Sequence, residues 1–436
     1  MRSVLTKSIK SNKSLPEIKS KSETEMKRRL SMITIGIGTI VLGFLATAPA
    51  ADTEVRNGQA SWVIQSDQVE LAVTELGGHM APVHFYRNSS TPIQPYHISP
   101  WQGETHSHPA PVLVPLRGDF FCMPFGGNAD KYQGEKHPPH GEVAGSKWTH
   151  VGTEKKGPIS TLTLEMKITA RAGKVTKTLQ LVDGQNAVYS SHRIEGFQGR
   201  TPLGHHATLA MPDVEGAFKI SHSPIKFGMT NSTLFSDPSN GEYQQLAINQ
   251  RFTSLASVPS RFKDASDVDV SRLPQKQGYA DLVMIVAADS ADKPAWLTAV
   301  RADEGWLWFS LKDPQVLANT VFWLENHGRH QLPWLGRNNC VGIEDVTAFF
   351  ADGIKASAEE NALSKLGAKT AMDINGELTV RYIQGVAKIP PGFIEVADVE
   401  FKDGKVTFVS TTGQRVSEPI YYEYLRTGNL AKTSVN

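Results

Sequence analysis

The sequence predicts an all-β protein, a large antiparallel β-sandwich with long loops and few short helices. Two observations carry this expectation. Short runs alternate apolar and polar residues and are rich in β-branched and aromatic side chains, as in Val69–Val73, Thr161–Met166, Val175–Leu181, Leu307–Leu311 and Val406–Val409. Period-two patterning between Gly, Pro, Asn and Asp is the signature of antiparallel strands. Helical period is convincing in one stretch, about Ala356–Leu366, where Ala and Glu cluster ahead of Gly367. At 436 residues, 40% apolar and 20% charged, the chain can bury a large core.

The first fifty residues differ from the rest. Lys27-Arg28-Arg29 precedes an apolar run to about Thr47, and Ala48-Pro49-Ala50 offers small residues before Ala51. That order is the order of a secretory leader, with an uncleaved membrane anchor as the alternative. The expectation is therefore an exported protein, periplasmic or secreted, that meets a membrane through this segment alone if it is not cut. Residues 51–436 are expected to form one domain, with a small C-terminal β module after about Asp373 as a variant of that reading.

Losing the leader removes nine Lys/Arg and three Asp/Glu, which takes the formal net charge from +1 to −5. A mildly acidic body argues against nucleic acid as a partner. A small polar molecule fits better. Cys122 and Cys340 each sit in an apolar run, where one disulfide and two buried thiols are both open readings.

Loops on a rigid sheet scaffold are where chemistry concentrates, and four segments stand out. In Leu116–Gly127, Gly and Pro force bends beside aromatic residues, and Arg117 offers a planar fork of donors, either to a ligand or to Asp119. In His137–Glu142, His140 stands next to Gly141, which lets backbone approach a ligand closely, and Trp148 follows as a stacking surface. In Leu203–Pro212, His205 and His206 are adjacent, so on a strand only one of them can face a given cleft. The fourth segment, Asn338–Val346, ends an apolar run on Glu344 and is preceded by Asn326–His330 and by Pro333–Arg337, which supply Trp334 and Arg337.

In this order the four segments resemble the galactose mutarotase-like superfamily, the aldose 1-epimerases and their hexose-phosphate relatives. The family's Arg-Gly turn into a Pro-containing aromatic segment resembles Arg117-Gly118 through Pro124-Phe125-Gly126, and its His-Gly pair ahead of a Trp resembles His140-Gly141 and Trp148. Its strand histidine resembles His205-His206, with His206 preferred, and its Gly-hydrophobic-Glu segment resembles Gly342-Ile343-Glu344. Leu76–Met80 is similar to an early Gly-Gly turn. The match spans roughly residues 60–360 and departs after the His-Gly pair, where Glu142-Val143-Ala144 stand.

The resemblance implies a β super-sandwich that interconverts sugar anomers without cofactor or metal. It implies Glu344 as base at the C1 hydroxyl and a protonated His206 as acid at the ring oxygen, facing each other across a sugar-sized cleft. Arg117 and His140 would hold hydroxyls, Trp148 or Trp334 would supply an apolar face, and His205 (also the alternative acid) and Arg337 are further substrate-binding candidates. The implied partner is a small sugar or oligosaccharide. Three rival readings stand beside it: an exported sugar-binding sandwich that lacks the reaction, a metal site around His106-Ser107-His108 and His137–His140, and a glycosidase or lyase.

Overall fold

The computed structural model describes residues 52–430 apart from 106 and 291, so the expected leader lies outside the described residues. The chain builds a nine-stranded and an eight-stranded antiparallel sheet, with a four-stranded sheet at the start and a three-stranded sheet near the end. The two large sheets pack face to face. Val283, Ile285, Phe322, Leu324, Val341 and Ile343 of the eight-stranded sheet share one core with Leu297, Trp306, Trp308, Val380 and Val386 of the nine-stranded sheet. This is the expected sandwich.

Burial along the strands explains why some read clearly from sequence. Ile159–Ile168 alternates buried and part-exposed positions because it lies near a sheet edge with one face in water. Trp306–Lys312 and Asn319–Asn326 are buried at every position, so Trp306–Phe309 and Val321–Leu324 run apolar without alternation. The second face of the nine-stranded sheet carries Leu307, Phe309, Leu311 and Ile383, which pack on Val399, Val406, Phe408 and Ile420 of the three-stranded sheet. The second face of the eight-stranded sheet carries Leu282, Met284, Val321 and Trp323, and long loops fold over it.

The helical stretch is shorter than its period suggests: a helix at Ile354–Ala358, then a single 3-10 turn at Ser364–Leu366. The Asn361 side chain interrupts the run, donating to the carbonyls of Ala356 and Glu359 while accepting from the Leu363 and Ser364 amides. Such local bonds compete with helix propagation. Cys122 and Cys340 are both buried free thiols. Among the described residues no helix is long and apolar enough to cross a membrane.

Candidate active site

Strand register places the central pair. The strand Asn339–Thr347 pairs with Leu203–His205 and then with Ala207–Ala210, with Gly204 opposite Val346 and Ala207 opposite Ile343. The same register on either side of the break sets His206 opposite Glu344 and His205 opposite Asp345. Directly opposed residues share a face of the sheet, with Cβ atoms about 4.5–5.5 Å apart. His206 Nε2 and Glu344 Oε1 stand 3.1 Å apart on the outer face of the eight-stranded sheet. In the break the His206 amide donates to the Phe120 carbonyl at 2.9 Å, which ties the histidine to the neighbouring segment.

Gly342 has a definite task here. A Cβ at this position would lie 2.5 Å from Glu344 Oε1 and 3.1 Å from the Trp323 Cβ, so its missing side chain is what lets the Glu344 carboxyl fold toward His206. Gly141 serves the wall similarly, since a Cβ there would meet the Met123 carbonyl oxygen at 2.0 Å. His140 adopts φ of 59°, a sparsely populated region for a non-glycine residue, held by the hydrogen bond its backbone N–H donates to the Gly126 carbonyl at 2.7 Å.

His206, Glu344, His140 and Trp334 line one cavity of about 210 Å³, together with Leu116, Phe120, Phe235, Leu282, Trp323 and Arg329. That is below the roughly 300–1,000 Å³ typical of drug-sized ligands and suits a single ring. The pair is almost fully shielded, with side-chain exposures of 6% for His206 and 2% for Glu344. Phe120 stacks on His206 at 4.5 Å between ring centres, and His140 meets it edge-on at 5.1 Å.

Burial sets the protonation states. It holds the Glu344 carboxyl well above the usual carboxylate range and the His206 imidazolium well below the usual histidine range. Burial also lowers His140 to about 4. The pair therefore sets a raised carboxyl against a lowered imidazole at 3.1 Å. Thr208 Oγ1 lies 3.2 Å from His206 Nδ1, a contact that fixes the orientation of the ring.

The expected cleft between Glu344 and His206 is thus corrected: the two side chains touch at 3.1 Å. Other expected positions turn away from the cavity. Arg117 is fully buried, and its guanidinium donates to the carbonyls of Pro115, Arg56 and Asn57 and to Gln102 Oε1, so it ties three chain segments together and has no fork left for a ligand. Its structural partner is not Asp119, which instead meets His205 Nδ1 at 2.8 Å. His205 faces the interior between the sheets and stacks on Tyr382. Trp148 is a core residue whose indole N–H donates to the Val143 carbonyl at 3.0 Å. Arg337 forms a two-point ion pair with Glu104 and does not line the cavity.

Residues not singled out from sequence complete the wall: Phe120, Phe235, Trp323 and Arg329. Arg329 lies in a loop that directly follows the strand Asn319–Asn326, and that position at a strand end was its one signal. Among the described residues no group of three or more His, Cys, Asp or Glu is placed to hold a metal ion, and His106 lies outside them.

Two large antiparallel sheets packed face to face, flanked by smaller ones, place the chain in the class of β super-sandwiches. More specifically, it has the galactose mutarotase-like fold, as its structural neighbours establish. A candidate aldose 1-epimerase from Klebsiella pneumoniae superposes with a TM-score of 0.52 at 10% identity, over 77% of this chain and 82% of that one. A galactose mutarotase-like protein from Clostridium acetobutylicum gives 0.50 at 10% identity, over 78% and 99%. A candidate mutarotase from Salmonella typhimurium gives 0.50 at 11% identity, over 78% and 95%. No protein-family model and no curated protein sequence matches the chain.

Proposed function

We propose that the protein is an aldose 1-epimerase-like isomerase, in which Glu344 and His206 exchange protons with a sugar. The observation that carries this is the 3.1 Å contact between a raised carboxyl and a lowered imidazole on the wall of a ring-sized cavity. Paired titratable groups pushed apart by their surroundings are the mark of an acid and a base.

Anomer exchange removes the proton of the C1 hydroxyl and adds one to the ring oxygen. The bond from C1 to the ring oxygen breaks, the resulting aldehyde turns about C1–C2, and the reverse steps close the ring on its other face. The two oxygens are bonded to the same carbon, so the groups that serve them need not be far apart. A touching acid–base pair that holds one proton meets the requirement: one partner donates, the other accepts, and ring closure restores both. The proton count is the same whether the carboxyl or the imidazole starts with it. Trp334 and Phe120 supply apolar surface and His140 a neutral polar edge.

The test is anomer exchange of galactose and glucose, followed by NMR. Glu344→Gln is expected to lower exchange at least about 100-fold, in keeping with the usual contribution of a positioned acid or base, with an unchanged unfolding midpoint. Exchange at the wild-type rate in a folded Glu344→Gln variant would remove the carboxyl from the reaction.

A non-catalytic sugar-binding protein is the second reading, favoured by the scarcity of hydrogen-bonding side chains on a mostly apolar wall. Binding without exchange would select it. Export belongs to the same proposal and is supported by the order of the leader residues, and a free or oligomeric sugar is the partner the ring-sized cavity would take.

A further inference from the structure

Among the described residues Arg329 is the one permanently charged side chain on the cavity wall. Its guanidinium lies 4.6 Å from the Phe235 ring centre and 5.5 Å from that of Trp334, so two aromatic faces hold it flat. Its loop is fixed from beneath. Glu325 Oε1 accepts from the Gly328 and Arg329 amides at 3.0 Å each, Glu242 Oε1 accepts from the His330 amide at 2.9 Å, and the His327 ring bonds the Gly336 carbonyl at 2.8 Å.

Its ion-pair partner is only loosely engaged. Glu325 Oε2 approaches Nε at 3.5 Å, longer than the roughly 2.7–2.9 Å of a charge-assisted hydrogen bond. Burial lifts Glu325 to about 7, so near neutrality it compensates the guanidinium only in part. The fork formed by the two terminal nitrogens has no hydrogen-bond partner among the described residues. A stacked, loop-anchored, incompletely paired arginine on the wall of a small cavity is a recognition group for a planar anion.

We infer that the sugar recognised in this cavity carries a carboxylate, as a uronic acid does, and that Arg329 binds it through its terminal fork. The choice of carboxylate over phosphate follows from charge and room. One arginine balances a single negative charge, a phosphate monoester near neutrality brings close to two, and Glu325 and Glu242 lie behind the loop. Burial pushes the Glu344 carboxyl toward its neutral form, so an anion can share the cavity with it. The inference rests on the epimerase reading for its site, and its experiment keeps the two apart.

The experiment compares D-galacturonate, D-galactose and D-galactose 6-phosphate with the full chain, using anomer exchange by NMR and, separately, binding by calorimetry. The expected wild-type preference for galacturonate over galactose is at least about 10-fold, the size of one charged hydrogen bond of 1.5 kcal/mol or more, and it should shrink as salt rises. Arg329→Gln should bring the ratio close to one, and Arg329→Lys should keep part of it, because lysine retains the charge and loses the fork.

Equal use of galacturonate and galactose by the wild type would overturn the inference, as would a stronger response to the phosphate or an unchanged ratio in a folded Arg329→Gln. If none of the three sugars exchanges but galacturonate binds in an Arg329-dependent way, the epimerase reading falls and the carboxylate site stands. If exchange occurs without preference, the reverse holds. The wild-type ratio and its salt dependence need no variant, so an unfolded variant leaves the test intact.

Discussion

Glu344 and Asp345 are neighbours on one strand, and His206 and His205 are neighbours on the strand opposite, yet the two faces of this strand pair do different work. On the inner face Asp345 is saturated. Lys312 Nζ and Thr320 Oγ1 reach its Oδ1 at 2.6 Å each, and Ser310 Oγ and Tyr382 Oη donate to Oδ2 at 2.8 and 2.7 Å. His205 stacks on that same tyrosine and is held by Asp119. On the outer face Glu344 has one side-chain partner among the described residues, His206, and beyond the pair lies a cavity. The same residue types become a structural knot where donors surround them, and on the proposed function an acid–base pair where they face a cavity. The number of satisfied lone pairs, rather than the residue type, separates the two.

That contrast breaks most visibly at Asp345. Asp345→Ala leaves the buried Lys312 ammonium uncompensated, and removing one partner of a buried pair costs about 3–5 kcal/mol. Denaturant unfolding should show this loss, while Glu344→Gln should show little change. A loss under about 1 kcal/mol for Asp345→Ala would mean that the inner face is not the structural one.

A second expectation concerns pH. Glu325 sits on the outer face with its folded-state value raised to about 7 by burial. Between about pH 4.5 and 7 the folded chain then holds a proton that the unfolded chain has lost, so its contribution is fully present below 4.5 and is lost as pH rises toward 7. Relative to a Glu325→Gln variant, the wild type should lose on the order of 3 kcal/mol across that window. Parallel stability curves for the two proteins from pH 4 to 8 would contradict it.

The smallest effect on stability, and the sharpest on the comparison, is expected at Gly342. The new methyl of Gly342→Ala meets the movable end of Glu344 rather than backbone, so the carboxyl swings aside. Stability should fall by no more than about 1 kcal/mol, while anomer exchange drops roughly 10-fold or more as the pair separates. A crystal structure of the variant with the 3.1 Å contact intact, together with normal exchange, would show that the glycine matters for some other reason.

The strands were legible because alternation between buried and exposed faces is a local property, as in Ile159–Ile168. Glu344 and His206 were legible as a family pattern. Their direct contact was not, because it depends on the pairing of segments well over a hundred residues apart. Arg117 misled for the same kind of reason: the carbonyls that absorb its donors belong to Arg56 and Asn57, and nothing near Arg117 in sequence announces them. Trp148 misled because a tryptophan after a His-Gly pair reads alike whether its ring meets a sugar or the core. Arg329 gained meaning only when Phe235, from a loop far upstream, was found against its guanidinium.

The three-stranded sheet near the end of the chain bears on how the protein can be handled as a reagent. It roofs Leu307, Phe309, Leu311 and Ile383 on the far side of the nine-stranded sheet, and the cover continues through Tyr424 and Leu425. A shortened version ending with the strand Met372–Lys388 would retain every residue of the cavity wall but strip that roof. Such a fragment would carry a broad sticky surface and precipitate. A shortened version therefore needs to extend well past the last residue of the site and to keep the terminal hairpins that form the roof.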